Sequence, residues 1–306
     1  MKKDFLSLLD HSRGELEELL VAAARLKADL RAGKNRQPLS GKTLSMIFEK
    51  PSLRTRVTFE TGIKQLGGGA VYLAPNDIQL GERESVADIA RNLSRWVDII
   101  MARTYSHDAM LELARFSTIP VINGLSDLNH PCQVVADCQT LLEHRPRLDD
   151  LVVTFVGDGN NVVTSWINAA SRLGFEFRLA CPPGYEPPAE VLAAARASGV
   201  GAVEILHDPN AAAEGADALY TDVWTSMGQE EEAERRKRDF ADYQIDAALL
   251  THAKPDALVM HCLPAHRGEE ITAEVVDGPQ SVVLEQAENR LHAQKAIMLY
   301  VAQTQG

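Results

Sequence analysis

With 306 residues, 45% of them hydrophobic, the chain is long enough to bury a substantial core and to form two domains. Acidic residues outnumber basic ones by 43 to 31, a net charge of −12, which disfavours nucleic acid and anionic membranes as partners. No run is long and apolar enough to span a bilayer, the first residues lack a signal peptide's apolar core, and four cysteines without C-x-x-C spacing point to free thiols in a reducing, cytoplasmic compartment.

Ser12 and Glu15 have the form of a capping box, followed by Leu16, Leu19, Leu20, Ala23, Leu26 or Lys27, and Leu30 on one helical face. The apolar run Leu44–Phe48 reads as a buried strand. It stops at a polar turn with Pro51, after which Leu53, Val57 and Ile63 recur at helical spacing until Gly67. The opening turn of that helix carries Ser52, Arg54, Thr55 and Arg56, so hydroxyls and guanidiniums gather where helix N–H groups favour an anion. An ordinary Ser52 cap with two solvated arginines is the alternative.

A strand near Ala70–Leu73 and a polar loop to Glu84 follow, then a helix from Ser85 to Trp96 and a strand from Asp98 that ends on Arg103. His107–Phe116 is helical and Ile119–Asn123 extended; Pro131 suits a first helical position, placing His130 and Gln133 on the opening turn of a helix to His144. The polar break Arg145–Asp150 marks a domain boundary, giving domains over 1–145 and 146–285 and a C-terminal helix over 286–306 expected to return to the first domain. In the second half, strands at Leu151–Val156, Phe175–Ala180, Val203–Leu206, Ala218–Thr221 and Ala257–Met260 alternate with helical segments. The run Gln229–Arg238 reads as a solvated helix with Glu-to-Arg pairs. The fold class is therefore α/β, two parallel sheets covered by helices, with the active site expected in a cleft between the domains.

Ligands of open parallel sheets bind at the carboxyl ends of the strands. Those ends carry Lys50–Arg56, Arg103, His130 with Gln133, Asp158–Asn161, Asp222–Gly228 and His261–Pro264. The first half supplies cations and hydroxyls and the second amides, a carboxylate and a thiol, which suits a phosphorylated substrate beside an amine-bearing one. Other readings stay open. Gly157-Asp158-Gly159-Asn160-Asn161 resembles a dinucleotide fingerprint with Glu176 as the ribose acid, although Val162 stands where the third glycine belongs. His261, Cys262 and His266 are zinc-ligand types at no standard spacing. Cys262 as a nucleophile would need a paired base, and its neighbour His261 should point elsewhere at a strand end.

Ser52-Leu53-Arg54-Thr55-Arg56, Met101-Ala102-Arg103-Thr104-Tyr105, His130-Pro131-Cys132-Gln133, Asp222-Val223-Trp224-Thr225-Ser226-Met227-Gly228 and His261-Cys262-Leu263-Pro264 together resemble, in order and over nearly the whole chain, the signatures of the aspartate/ornithine carbamoyltransferase family. Leu53 departs from the threonine often found there, at a position that mainly presents backbone N–H.

The resemblance implies that carbamoyl phosphate is held by Ser52, Leu53, Arg54, Thr55, Arg103, His130, Gln133 and Arg290, with Gln79 reaching the phosphate of a neighbouring subunit in a homotrimer or an assembly of trimers. It assigns Asn161, Asp222, Ser226, Met227, Cys262 and Leu263 to L-ornithine and gives Arg103, His130 and Cys262 catalytic roles. It implies neither a cofactor nor a metal, and transfer of the carbamoyl group to the side-chain amine to give L-citrulline. Asp222 argues against aspartate as acceptor; putrescine and acetylornithine remain alternatives, as does a non-catalytic relative. Whether the reaction serves arginine biosynthesis or breakdown is left open, since one active site runs both ways.

Overall fold

The computed structural model describes residues 2–34, 36–225 and 230–303. They divide into two compact units, unit 1 within residues 2–139 and 288–303 and unit 2 within residues 140–287.

Unit 1 begins with α1 (Arg13–Arg31), capped by the Ser12/Glu15 box. It continues through β1 (Thr43–Phe48), α2 (Leu53–Gln65), β2 (Gly69–Leu73), α3 (Pro75–Ile78), α4 (Val86–Trp96), β3 (Ile99–Arg103), α5 (His107–Phe116), β4 (Val121–Leu125) and α6 (Pro131–His144). The four strands are parallel in the order β2-β1-β3-β4. Strands covered by helices on both faces need apolar residues at consecutive positions. β1 and β3 meet that demand, since Leu44–Phe48 and Ile99–Arg103 are buried throughout. The polar loop expected up to Glu84 contains the one-turn helix α3, opened by Pro75 and Asp77 and closed by the left-handed Gln79.

Unit 2 contains β5 (Val152–Val156), α7 (Asn161–Leu173), β6 (Glu176–Ala180), α8 (Ala189–Ser198), β7 (Val203–Leu206), α9 (Pro209–Ala213), β8 (Ala218–Thr221), α10 (Ala233–Asp239), α11 (Ala247–Leu250), β9 (Leu258–His261), α12 (Ala273–Val276) and the first turn of α13 (Val283–Ala302). Its five parallel strands run β7-β6-β5-β8-β9. Trp166, Phe155, Phe177 and Tyr220 stack through its centre, while Leu219, Phe240, Ile245 and Val259 fill a second cluster. The division between units falls inside α6 and α13, so each of these helices belongs to both. The later part of α13 packs within unit 1: a Cβ added to Gly62 of α2 would lie 3.0 Å from the Met298 side chain and 3.2 Å from that of Lys295.

Strand order alone locates a crevice in each unit. Chain direction across a sheet reverses beside its first strand, and loops leaving on opposite sides open a gap there. That point lies between β1 and β3 in unit 1, and between β5 and β8 in unit 2.

The apolar spacing of α2 is offset from its true inner face. Thr55, Phe59, Gly62 and Ile63 are buried, whereas Leu53 is 75% and Val57 49% exposed.

Candidate active site

At the crevice of unit 1 lie several of the side chains that the sequence reading singled out. Ser52 caps α2, its Oγ accepting the Thr55 N–H at 3.3 Å and donating to Thr55 Oγ1 at 3.1 Å. Register pairs Phe48, the last residue of β1, with Arg103, the last of β3, so both strand ends open at one level. The Glu49 N–H binds the Arg103 carbonyl at 2.9 Å, and the Glu49 carboxylate takes the Tyr105 N–H at 2.7 Å, tying the two loops together. Burial pushes the Glu49 carboxyl up, against the opposing effect of that N–H. Lys50, itself buried, lies 4.3 Å over the Tyr105 ring, a cation–π contact.

From α13, Arg290 donates to Thr55 Oγ1 at 2.8 Å. His130 sits just before α6 and is buried; Gln133, one turn in, donates to Asp137 at 2.7 Å. The Gln133 Oε1 is buried with no hydrogen-bond partner among the described residues. The His130 imidazole is held well below its ordinary pKa, first by burial and then by the guanidiniums of Arg290, Arg103 and Arg54. Three cations acting on one ring bring these four residues into a single electrostatic neighbourhood, although they come from four separate parts of the chain. At neutral pH the ring is uncharged, with one N–H donor and one acceptor nitrogen. Gln79 stands apart: it is exposed, and among the described residues its hydrogen bonds run only through its backbone.

The crevice of unit 2 is built from backbone approach and internal pairing. Gly159 is required sterically, because a Cβ there would come within 2.5 Å of the Tyr185 carbonyl oxygen and the Pro187 nitrogen. Asn160 caps α7 through the Val162 and Val163 N–H groups and turns its Nδ2 to Asp222 Oδ2 at 3.1 Å; Asn161 opens the helix. Asp222, just past β8, accepts the Val223 N–H at 2.9 Å. β9 delivers His261 and Cys262, whose ligand atoms and an Asp222 carboxylate oxygen all lie within 4.8 Å of one another. His261 and Cys262 thus converge although adjacent in sequence. The strand ends at His261, and the left-handed Leu263 (φ 61°) turns the chain sharply. The donors of His266 fall with Glu269 and Glu270 instead. Ser226 and Met227 lie outside the described residues.

Two side chains of unit 2 escaped the sequence reading. Arg236, inside the charged run expected to be solvated, is buried. It donates to Asp158 Oδ2 at 2.8 Å, to the Trp224 carbonyl at 3.0 Å and to Glu232 at 3.1 Å, joining the loop after β5 to the segment after β8. Burial raises the Asp158 carboxyl even against this partner. The available signal was Phe240, one turn beyond Arg236 and fully buried, which sets the inner face of α10. Glu270, fully buried against His261 at 3.0 Å, is flanked by no pattern that marks it.

The chain is similar to known proteins over nearly its whole length. Residues 3–143 match the family model "Aspartate/ornithine carbamoyltransferase, carbamoyl-P binding domain", and residues 149–301 match "Aspartate/ornithine carbamoyltransferase, Asp/Orn binding domain". The ornithine carbamoyltransferase of Symbiobacterium thermophilum is 55% identical over 304 residues, covering 98% of this chain and 97% of that one. The chloroplastic ornithine carbamoyltransferase of Pisum sativum is 52% identical over 300 residues, covering 98% of this chain and 80% of that one. Among solved structures, the ornithine carbamoyltransferase of Pyrococcus furiosus superposes with a TM-score of 0.95 at 50% identity, over 99% of this chain and 97% of that one.

Proposed function

Because this chain belongs to the aspartate/ornithine carbamoyltransferase family and transfers the carbamoyl group of carbamoyl phosphate to the side-chain amine of L-ornithine, giving L-citrulline and phosphate, we propose the following residue roles. The hydroxyls of Ser52 and Thr55, the first N–H groups of α2 and the guanidiniums of Arg54 and Arg103 hold the phosphate, a match of planar donor forks and helix N-terminus to a dianion. His130, Gln133 and Arg290 address the carbamoyl end. The neutral amine adds to the carbonyl carbon, negative charge grows on the carbonyl oxygen, the C–O bond to phosphate breaks, and the departing phosphate takes the proton that the nitrogen gives up. Donors already in place where that charge develops, Arg103, Thr55 and His130, lower the barrier because they need no reorganisation.

The observation that carries this reading is the Arg290 hydrogen bond to Thr55 Oγ1 at the Ser52-capped start of α2, together with buried Arg103 and a buried His130 whose imidazole is depressed by burial and by the Arg290, Arg103 and Arg54 guanidiniums. Such a cluster is costly without an anion and is relieved by one. On the acceptor side, Asp222 meets the α-ammonium of ornithine, Asn161, Ser226 and Met227 complete the amino-acid end, and Cys262 and Leu263 flank the reacting amine, with Cys262 as the catalytic thiol. The half-buried carboxylate of Asp222, oriented by Asn160 and the Val223 N–H, supports a cationic guest over an acidic one. Citrulline formation from carbamoyl phosphate, measured in parallel with ornithine, putrescine, acetylornithine and aspartate, tests the reading. Equal or better use of another acceptor would overturn the assignment of Asp222.

The assembly we propose is a homotrimer, or a set of trimers, in which Gln79 serves a neighbouring subunit's phosphate site. Exposed Leu53, Val57 and Val71, the last on the edge strand β2, support a covered face here, since apolar side chains on a sheet edge invite a partner. Mixing inactive Gln79→Ala and Arg103→Ala chains checks it, because hybrid trimers restore some intact sites; no regained activity in a mixed assembly would reject sharing. No described helix is long and apolar enough to cross a membrane, and the four free, buried cysteines support a cytoplasmic setting; a role in arginine biosynthesis is supported by the family alone.

A further inference from the structure

We propose that Glu270 is a positioning residue for the acceptor-amine subsite, acting through the tautomer of His261. The inference rests on the reading of Cys262 and Leu263 as that subsite. His261 closes β9 with its backbone N–H fixed to Gln286 Oε1 at 2.9 Å, and Gln286 in turn donates to the Tyr220 hydroxyl at 3.2 Å. Its ring is committed at both nitrogens. Nδ1 lies 2.8 Å from the Leu263 N–H, which can only donate, so Nδ1 is the acceptor and the ring proton resides on Nε2. Nε2 faces Glu270 Oε1 at 3.0 Å, and the same oxygen takes the His266 N–H at 2.6 Å. Glu270 and the His261 side chain are both fully buried, so no water replaces either partner at low cost.

The consequence for the acceptor follows from peptide geometry. The Leu263 N–H and the Cys262 carbonyl belong to one planar trans peptide and point in opposite directions. Anchoring the N–H on the imidazole therefore turns the Cys262 carbonyl away from the ring, making it available to orient an incoming amine. It also holds Leu263 in its left-handed conformation. Were Glu270 unable to accept, the ring could take its other tautomer and two N–H groups would face each other. The Leu263 N–H would lose its partner, and the carbonyl its direction.

The test pairs Glu270→Leu with Glu270→Gln in the full-length enzyme, with KM measured for both substrates. Glu270→Leu is expected to raise the KM for ornithine roughly 10-fold or more while leaving that for carbamoyl phosphate within about 2-fold. Glu270→Gln, whose amide oxygen still accepts both N–H groups, should return the ornithine KM to within about 3-fold of wild type. Unchanged ornithine kinetics in the leucine variant, an equal loss for both substrates, or no rescue by glutamine would overturn the proposal. ¹⁵N NMR of the wild-type His261 ring decides it independently of folding or turnover: a proton on Nε2 supports the relay, and one on Nδ1 ends it. A wild-type enzyme with no activity toward ornithine would instead sink the functional reading, and the NMR result would still judge the tautomer.

Discussion

The crevices of the two units hold their polar residues by opposite means. In unit 1, like charges are brought together: Arg54, Arg103 and Arg290 act on one buried imidazole, and their mutual repulsion is the feature an anion would remove. In unit 2 the polar groups are already paired internally, Asp158 with Arg236 in an ion pair and His261 with Glu270 by a hydrogen bond, while Asp222 is steadied by Asn160. A site of the first kind binds by field and has little need for exact shape. One of the second kind discriminates by preset geometry, since its donors and acceptors are locked before the ligand arrives.

If that contrast is right, removing charge from unit 1 should cost the most. Arg103→Ala is expected to lower kcat/KM by about 10³-fold, an effect on the scale of a lost oxyanion donor, with weaker carbamoyl phosphate binding by calorimetry. Retention of that binding would break the field argument. Arg236→Met sharpens the other side. Losing one partner of a buried pair should reduce unfolding free energy by about 3 kcal/mol in denaturant melts. The loss should be greater at pH 8 than at pH 5, because Asp158, already pushed up by burial, becomes a raised-pKa group whose stability contribution disappears as pH rises.

Asp222→Ala comes next, with a rise in ornithine KM of roughly 10²-fold and carbamoyl phosphate binding spared. Loss of both would show that the halves do not divide the work. The smallest effect concerns His130. Its folded pKa lies below the unfolded value near 6.5, so the unfolded chain binds more protons and stability is lost as pH falls below that value. The slope approaches about 1.4 kcal/mol per pH unit for one proton. His130→Asn should flatten the wild-type melting profile between pH 6.5 and 5, and an unchanged profile would place the imidazole outside the guanidinium field.

Most of the framework was legible in the sequence because its causes are local. A strand buried on both faces must be an apolar run, so β1 and β3 announced themselves, and the cation ending β3 marked Arg103. Ser12, Ser52 and Ser85 declared helix starts because a cap is satisfied within one turn. Only the tertiary structure decided which face of α2 turns inward, leaving Leu53 and Val57 outside, because a spacing of three and four fits two adjacent stripes of a short helix. It alone showed Arg236 buried against a carboxylate 78 residues earlier, and His261 fixed by Glu270 beyond a left-handed turn. Local pattern records what each segment buries. Which segments meet depends on strand order and on the loops leaving the sheet, and those distances in sequence carry no periodic trace.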